Sequence, residues 1–336
     1  MDDDRESAIT DPALVSITIP VFNENAVLPK LLERLAAIAR SLKYKYRFEF
    51  IFVDDGSDDN SLDVLRGLAS QDSRVRILEL RRNYGQTAAL QAAFDTARGA
   101  IIISMDADLQ HFPEDIPLFL EKIEAGSDVV CGWRHQRREG VIRRWPSKIA
   151  NILIRRVSGV SVHDIGTTFR AYRAEIIREL FLLGENHRFV PVFAKMAGAR
   201  IDEVTIENIP RPAGESSYGL SRTVNVFLDL FFLYFYTHHL DRPLRLFGKI
   251  ALLLFLFGGV IASWLLILAL VYNIPSVREH SGWFVLSMVM FLTGVQLILI
   301  GIVAEVLARL YFQPGKRTRY RVRREWGNVA SSGVES

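Results

Sequence analysis

A chain of 336 residues is long for one compact domain and sufficient for a catalytic domain joined to a membrane segment. Its 49% hydrophobic content exceeds what a soluble enzyme needs, while a net charge of +3 is too small to argue a partner from. The single cysteine, Cys131, excludes an internal disulfide and any multi-cysteine zinc site.

The opening residues lack the basic start and apolar run of a cleavable signal peptide, so whatever precedes the first membrane span is expected to be cytoplasmic. Residues 14–20 (LVSITIP), 48–53 (FEFIFV), 75–80 (VRILEL), 100–105 (AIIISM) and 128–131 (DVVC) read as strands. Several are nearly continuous apolar runs, as expected when helices cover both faces of a parallel sheet. Between them, 24–42, 61–71, 86–98 and 113–126 carry apolar residues at helical spacing. Pro113 stands where a first-turn proline would, and Asp58 or Ser57 could cap the helix after the second strand. The alternation predicts an open α/β sheet with right-handed crossovers, whose ligands gather at the carboxyl ends of the strands.

Beyond residue 136 the alternation loosens. Arg134, Arg137, Arg138, Arg143 and Arg144 cluster ahead of a helix over 146–157, followed by a strand over 166–172 and a helix over 174–183. The stretch 222–240, rich in Phe, Leu and Tyr, reads either as an amphipathic helix at a membrane interface or as a core helix. Residues 250–272 and 282–304 carry no charge, and at about 1.5 Å per residue each is long enough for a hydrocarbon core of about 30 Å. The loop between them holds only Arg278 beside Glu279. Arg242, Arg245 and Lys249 precede the first span, and Arg309, Lys316, Arg317, Arg319, Arg321, Arg323 and Arg324 follow the second. This bias predicts a transmembrane hairpin in an inner or plasma membrane with both flanks cytoplasmic. Its position favours an anionic-lipid contact for the basic tail over a nucleic-acid site.

Chemistry concentrates at the predicted strand ends. Asp106-Ala107-Asp108 directly follows AIIISM, and two carboxylates one residue apart there can turn toward one cation. Hard oxygen ligands suit Mg²⁺ or Mn²⁺, which neutralise a diphosphate, and Gln110 supplies a further oxygen. Alone, such a pair is equally a polar turn into the helix at Pro113. Asp54-Asp55-Gly56-Ser57 ends the second strand and suits hydrogen bonds to a base and ribose, with Gly56 permitting a tight turn. Pro20-Val21-Phe22-Asn23-Glu24 ends the first and could close over the same nucleoside. Three such segments at three strand ends point to one site. Tyr84 and Gln86 fit either the nucleotide side or core packing. His111, His135, His163 and His187 show no metal-ligand spacing, and His111 reads as part of the turn.

The segments IPVFNEN, FVDDGSDDNS, RRNYGQTAA and SMDADLQHFPEDIP resemble the family 2 glycosyltransferases of GT-A fold. More narrowly they resemble the polyprenyl-phosphate group: dolichyl-phosphate mannose synthase, bactoprenol glucosyltransferase and undecaprenyl-phosphate formamido-arabinose transferase. The likeness continues through DIGTTFRAYR (164–173), GESSYG (214–219) and the two spans. It implies an α/β GT-A domain with a mostly parallel sheet over 1–222, an interfacial helix region over 223–245, a transmembrane hairpin over 246–308 and a basic cytoplasmic tail over 309–336. It also implies that Pro20, Asn23, Glu24, Asp54 and Asp55 hold the nucleotide, with Ser57 and Gln86 as further candidates, and that Asp106, Asp108 and Gln110 organise the metal.

The implied reaction is metal-dependent, inverting transfer of a monosaccharide from a nucleotide diphosphate sugar to undecaprenyl or dolichyl phosphate. A UDP-sugar is favoured over a GDP-sugar by the bacterial likeness. A phosphate acceptor is already anionic, so it needs positioning cations where a sugar hydroxyl would need a base. Arg134, Arg143, Arg144 and Lys148 offer them, and arginine forks match phosphate oxygens. The resemblance points to Arg134 and one of Arg143 or Arg144. Ser216, Ser217 and Tyr218 depart from the serine–lysine-rich loop of the mannose synthases, so mannose specificity does not carry over. Two alternatives are a processive polysaccharide synthase and a non-catalytic nucleotide-sugar or lipid carrier. The first carries Gln-x-x-Arg-Trp, and here Val141 stands where glutamine would precede Arg144-Trp145. No nucleic-acid partner is expected, and a homo-oligomer is left open.

Overall fold

The computed structural model describes residues 12–134, 155–156, 159–180, 182, 186–207, 231–240, 242–273 and 275–311. The chain divides into two compact units, Met1–Leu230 and Phe231–Ser336.

The first unit is built on seven strands: β1 (Ala13–Val21), β2 (Tyr46–Asp54), β3 (Val75–Glu79), β4 (Ile101–Ser104), β5 (Val129–Arg134), β6 (Arg170–Arg173) and β7 (Ile201–Ile206). They lie in the order β3-β2-β1-β4-β6-β5-β7. β3, β2, β1 and β4 run parallel, β6 is antiparallel to both of its neighbours, and β7 is parallel to β5. Helices α1 (Leu28–Ser41), α2 (Ser61–Gln71), α3 (Gln86–Thr96) and α4 (Ile116–Glu124) connect the strands of the first half, and Pro113–Asp115 forms a 3₁₀ turn ahead of α4. The mostly parallel α/β sheet read from the sequence is therefore present.

The apolar runs form strands because both faces are covered. On β1, Val15, Ile17 and Ile19 are buried on one face and Ser16 and Thr18 on the other. The buried hydroxyls find acceptors, as burial demands: Ser16 Oγ donates to Glu49 at 2.6 Å and Thr18 Oγ1 to the Ile103 carbonyl at 3.2 Å. Glu49, on β2, also accepts from the Arg98 amide at 2.7 Å and from Arg76 Nη1 at 2.7 Å. Burial alone would raise its carboxyl, but the hydrogen bonds from Ser16, Arg98 and Arg76 outweigh it and hold the pKa below the usual range. This cluster ties β1, β2 and β3 together near their amino ends.

Helix α1 buries Leu28, Leu31, Leu32, Leu35 and Ala39, a stripe at three- and four-residue spacing. It begins later than the expected residue 24 because 25–27 form a turn, closed by the Val27 amide on the Glu24 carbonyl. Neither Asp58 nor Ser57 caps α2. Asp59 Oδ1 accepts the Ser61 amide at 2.8 Å, and the Ser57 hydroxyl serves another loop.

The second half departs further from expectation. β6 begins at Arg170, where the sequence suggests 166, and runs antiparallel. The helix expected over 174–183 contracts to α5, Ala174–Ile177. Neither α6 (Val190–Met196) nor the edge strand β7, whose IDEVTI sequence puts Asp202 and Glu203 where an apolar run would be, was foreseen. Arg170 is 1% exposed and meets no carboxylate among the described residues. It donates to the main-chain carbonyls of His187 (2.9 Å), Ile165 (2.6 Å) and Arg188 (3.2 Å).

The second unit contains α7 (Pro243–Val271), a single turn α8 (Ser276–Glu279) and α9 (Ser281–Tyr311). Both long helices are long and apolar enough to cross a membrane; α7 starts seven residues before the expected span 250–272, and α9 starts before and ends after 282–304. They meet along small residues spaced by seven: Ala251 and Gly258 on α7, and Ser287, Gly294, Gly301 and Ala308 on α9, are all buried. A Cβ at Gly294 would fall 2.5 Å from Phe255, and one at Gly301 would fall 2.9 Å from Leu244. Ser287 Oγ closes the seam on the Gly258 carbonyl at 2.9 Å. Such spacing is that of a left-handed helix pair held by close backbone approach. Near the connecting turn, Trp264 packs on Trp283 with ring centroids 6.2 Å apart. Residues 231–238 are helical, with Leu233 buried and Phe231, Phe232 and Tyr234 exposed. The expected helix over 146–157 lies mostly outside the described residues. So do 222–230, the GESSYG segment and the basic tail from 312 onward.

Candidate active site

The carboxyl ends of the parallel strands bring the acidic segments side by side. Val21, ending β1, pairs with Asp54, ending β2, and Asp54 pairs with Glu79 on β3, while Thr18 of β1 pairs with Ser104, ending β4. The loops after β1 and β2 are then zipped together. The Asn23 amide donates to Ser57 Oγ (3.0 Å), Asn23 Oδ1 accepts the Asp58 amide (3.0 Å), and the Glu24 amide donates to Ser61 Oγ (2.9 Å). Asn23 makes this exchange from a left-handed backbone, φ 57°, which asparagine tolerates better than most residues.

Asp54 is buried beneath the loops and accepts the Ser57 amide at 3.3 Å. Asp55 turns the other way and clasps the chain that follows β3: its two oxygens take the amides of Tyr84 and Gly85, each at 2.8 Å. The next residue, Gly56, has φ +70°, and a Cβ there would lie 2.5 Å from the Arg82 carbonyl carbon, so the clasp closes only around glycine.

After β4 the chain delivers Asp106, Ala107 and Asp108. Gln86 Nε2, at the start of α3, donates to Asp106 Oδ1 at 2.7 Å, and Asp108 Oδ1 accepts the Gln110 amide at 3.1 Å. Burial raises the Asp106 carboxyl; the nearby Asp108 charge pushes the same way, while His111 and Arg134 oppose it. Leu109 adopts φ 56°, a left-handed conformation that costs a branched residue about 1–3 kcal/mol and clusters at ligand clamps. His111 is not simply part of the turn. Its ring is buried against Phe169 with centroids 5.4 Å apart, and neither ring nitrogen finds a hydrogen-bond partner among the described residues. Burial lowers its pKa, against the pull of the Asp106 charge.

These elements enclose a cleft of about 340 Å³. Of the sequence-derived candidates, Pro20, Glu24, Asp55, Gln86, Asp106 and Asp108 line it. Asn23 and Ser57 spend their polar groups on each other's loops, Asp54 lies below, and Gln110 follows the turn without lining the cleft. Phe22, within the segment expected to close over the nucleoside, lines it as well, as do Asn83 and Gly85, which were not singled out. The signal for the last two was present: RRNYGQ follows the third strand of a parallel sheet, and so reaches the same edge.

On the other side of β4, Arg134 ends β5 and forms a bidentate pair with Asp164, Nε to Oδ2 at 2.7 Å and Nη2 to Oδ1 at 3.1 Å. Its charge acts on both Asp106 and His111. Next to this pair, His163 is fastened to Glu203 of β7 through its amide (2.6 Å) and Nδ1 (2.7 Å), and its ring stacks on Trp133 at 4.5 Å. Arg143 and Arg144 lie outside the described residues.

Comparison with known proteins decides the family. Residues 16–181 match glycosyl transferase family 2. The chain is 40% identical over 317 residues to the dodecaprenyl-phosphate galacturonate synthase of Rhizobium johnstonii, covering 92% of each protein. The chain belongs to glycosyl transferase family 2. It is also 39% identical over 313 residues to the undecaprenyl-phosphate 4-deoxy-4-formamido-L-arabinose transferase of Pseudomonas paraeruginosa, covering 93% of this chain and 90% of that one. Among solved structures, the glucosyl-3-phosphoglycerate synthase of Mycobacterium tuberculosis, crystallised with Mn²⁺, UDP-glucose and phosphoglyceric acid, shares the fold. Its TM-score is 0.50 at 17% identity, over 67% of this chain and 79% of that one. The GT-A resemblance read from four short segments thus extends over the catalytic half of this glycosyltransferase.

The donor set of this family 2 transferase fits a hard divalent ion. Among the described residues no three of His, Cys, Asp and Glu converge on a point that could hold a metal alone. Mg²⁺ does not require that: one or two carboxylates suffice when water and substrate phosphates complete the shell. Asp106 and Asp108 at the cleft wall, with Gln110 beside them, are such a set.

Proposed function

We propose that this transferase moves a sugar from a UDP-sugar onto a polyprenyl phosphate in a single inverting displacement. What carries the reading is a cleft with carboxylates from β2 and β4 on its wall and a guanidinium, Arg134, ending the second strand beyond β4. Chain-long identity to two enzymes named for polyprenyl-phosphate acceptors supports it.

Pro20, Glu24 and Asp55 hold the nucleoside, while Asn23, Asp54 and Ser57 shape the loops that present them. Asp106 and Asp108, with Gln110, hold Mg²⁺ or Mn²⁺, which when bound neutralises negative charge building on the departing diphosphate. Gln86 orients Asp106 through its amide. Arg134, joined by Arg143 or Arg144, grips the acceptor phosphate. An acceptor oxygen, already anionic, bonds to the anomeric carbon as the carbon–oxygen bond to the diphosphate breaks, so no side chain need remove a proton.

The two apolar helices and the polyprenyl-linked relatives make this a membrane protein. In our reading the catalytic domain covers 1–222, an interfacial helix 223–245, the hairpin 246–308 and a basic tail 309–336. Arg242, Arg245 and Lys249 before the hairpin and the arginines after it support a cytoplasmic position for both flanks.

Membranes containing the protein, incubated with a panel of nucleotide sugars and undecaprenyl phosphate, should yield an organic-extractable monosaccharide lipid identified by mass spectrometry. Label in a water-soluble polymer would instead indicate a processive synthase, and nucleotide-sugar binding without turnover a carrier.

A further inference from the structure

We infer that the outer face of α9 is a contact surface for a second copy of this chain, with the amide of Gln296 pairing across it. The inference stands apart from the polyprenyl-phosphate reading and rests on α7 and α9 lying in a bilayer.

α9 carries two stripes of the same period. The seam of small residues faces α7, through Ser287 on the Gly258 carbonyl, Gly294 against Phe255 and Gly301 against Leu244. On the other side of the helix, Val289, Leu292, Gln296, Leu299, Val303 and Val306 follow one another at alternating steps of three and four residues, the spacing of a coiled-coil seam. All six are exposed.

The five apolar members need no partner in a bilayer, because lipid tails are as apolar as they are. Gln296 does need one. Its side chain makes no hydrogen bond among the described residues. It sits eight residues inside the charge-free run that ends at 304, about 12 Å along the helix, which places it within the hydrocarbon. A primary amide carries two donors and an acceptor, and lipid tails satisfy neither kind. Ser287, by contrast, closes on a carbonyl of its own hairpin. The Gln296 amide therefore calls for a polar group from outside the hairpin at that depth.

A second copy supplies that group without further requirement. Copies of one chain enter the membrane in the same direction and at the same depth, so residue 296 of one meets residue 296 of the other across a two-fold axis. Because the amide both donates and accepts, each satisfies the other. The apolar members agree with this occupant. Val289 and Val303 share the Gln296 position of the seven-residue repeat, and Leu292 and Leu299 hold the alternate one. Branched residues at the first and leucine at the second favour two parallel strands, and one polar residue at the first fixes their register. An acyl or polyprenyl tail offers no partner for an amide.

The experiment uses the full chain in bilayers. Val289→Cys and Val303→Cys, oxidised in membranes, should give dimers on denaturing gels that reductant dissolves. Phe284→Cys, exposed but off the stripe, should not. Wild type is the blank, since its one cysteine, Cys131, is buried. In liposomes of rising lipid content, energy transfer between labelled copies should be halved at a three- to tenfold lower dilution in Gln296→Leu than in wild type, about the strength of one interhelical hydrogen bond in a membrane. Gln296→Asn, which keeps the amide, should stay near wild type. Equal cross-linking from Phe284→Cys, or the same dilution curve for Gln296→Leu and wild type, would overturn the inference. Should Gln296→Leu fail to insert, the cysteine variants decide, and no dimer from either Val289→Cys or Val303→Cys overturns it. A wild type washed from membranes at alkaline pH overturns the spanning reading itself. An embedded wild type without energy transfer overturns only the inference and leaves the face to lipid or to another protein.

Discussion

The parallel half of the sheet, β3-β2-β1-β4, and the mixed half, β6-β5-β7, build their parts of the site by different means. In the parallel half, carboxylates take main-chain amides: Asp55 those of Tyr84 and Gly85, Asp54 that of Ser57 through Oδ2 alone, and Asp108 that of Gln110. In the mixed half, two side chains beside the site are held by side chains far along the chain, Arg134 by Asp164 and His163 by Glu203, while Arg170 relies on main-chain carbonyls. The first kind of construction depends on backbone path and tolerates many neighbours. The second depends on the identity of both partners, so a single substitution orphans a buried group. A donor cleft made the first way and an acceptor cradle made the second way would let acceptor choice be tuned without disturbing nucleotide binding.

Substitutions can break this contrast or sharpen it. The largest effect belongs to Asp108→Ala, which should lower kcat/KM for transfer by about a thousandfold or more, as expected for removing part of a charge-stabilising metal set. Its folding in detergent, followed by circular dichroism, should match the wild type, and normal activity would refute the metal assignment. Next comes Arg170→Met in the mixed half. It removes the donor to three buried carbonyls and should destabilise the catalytic unit by about 3 kcal/mol, read from a denaturant midpoint. Asp55→Ala in the parallel half should cost less, about 1–2 kcal/mol, because the freed Tyr84 and Gly85 amides lie in a loop that water reaches. Its signature is a raised donor KM with the acceptor KM unmoved. If Asp55→Ala instead raises the acceptor KM, the division of labour between the halves is wrong.

The smallest effect is on pH dependence. His187 bonds the Thr87 hydroxyl at 2.7 Å, and burial, followed by the charges of Arg188 and Arg170, depresses its pKa from 6.5 to about 3. The folded protein therefore keeps this ring neutral where the unfolded chain takes up a proton. Its contribution to stability is complete above pH 6.5 and is lost progressively as pH falls from there toward 3. Thermal midpoints measured at pH 7.5 and pH 5 should differ less in His187→Gln than in the wild type by a few degrees. Identical differences would show that His187 does not titrate as its burial requires.

The same contrast explains what could be read from residues alone. β1, β2 and β4 announced themselves as apolar runs because helices bury both of their faces. The acids after them were legible because a strand end in a parallel sheet is a known address for ligands. β7 was not legible: only Val204 and Ile206 of IDEVTI are buried, and Asp202, on the same face by alternation, breaks the apolar pattern and pairs with Lys122. The reversed direction of β6 leaves no mark in four residues. Spacing also cannot say which polar groups a neighbouring loop will engage, as the Asn23 and Ser57 side chains engage each other's loops here. His111 and Asp164 were hidden for a related reason. Burial against Phe169 and pairing across thirty positions are properties of the folded chain, with no local trace.

The Glu49 cluster has a bearing on how such an enzyme changes over time. It gathers a hydroxyl, a main-chain amide and a guanidinium at the end of the sheet remote from the cleft, so the strands are anchored where no reaction takes place. Insertions or exchanges at the reactive rim leave that anchor untouched. A chimera carrying the 22–25 and 82–85 loops of another family member on this scaffold should melt as cooperatively as its parent, whereas Glu49→Gln should loosen every such chimera alike. New sugar preferences can then arise at the rim while the foundation stays in place.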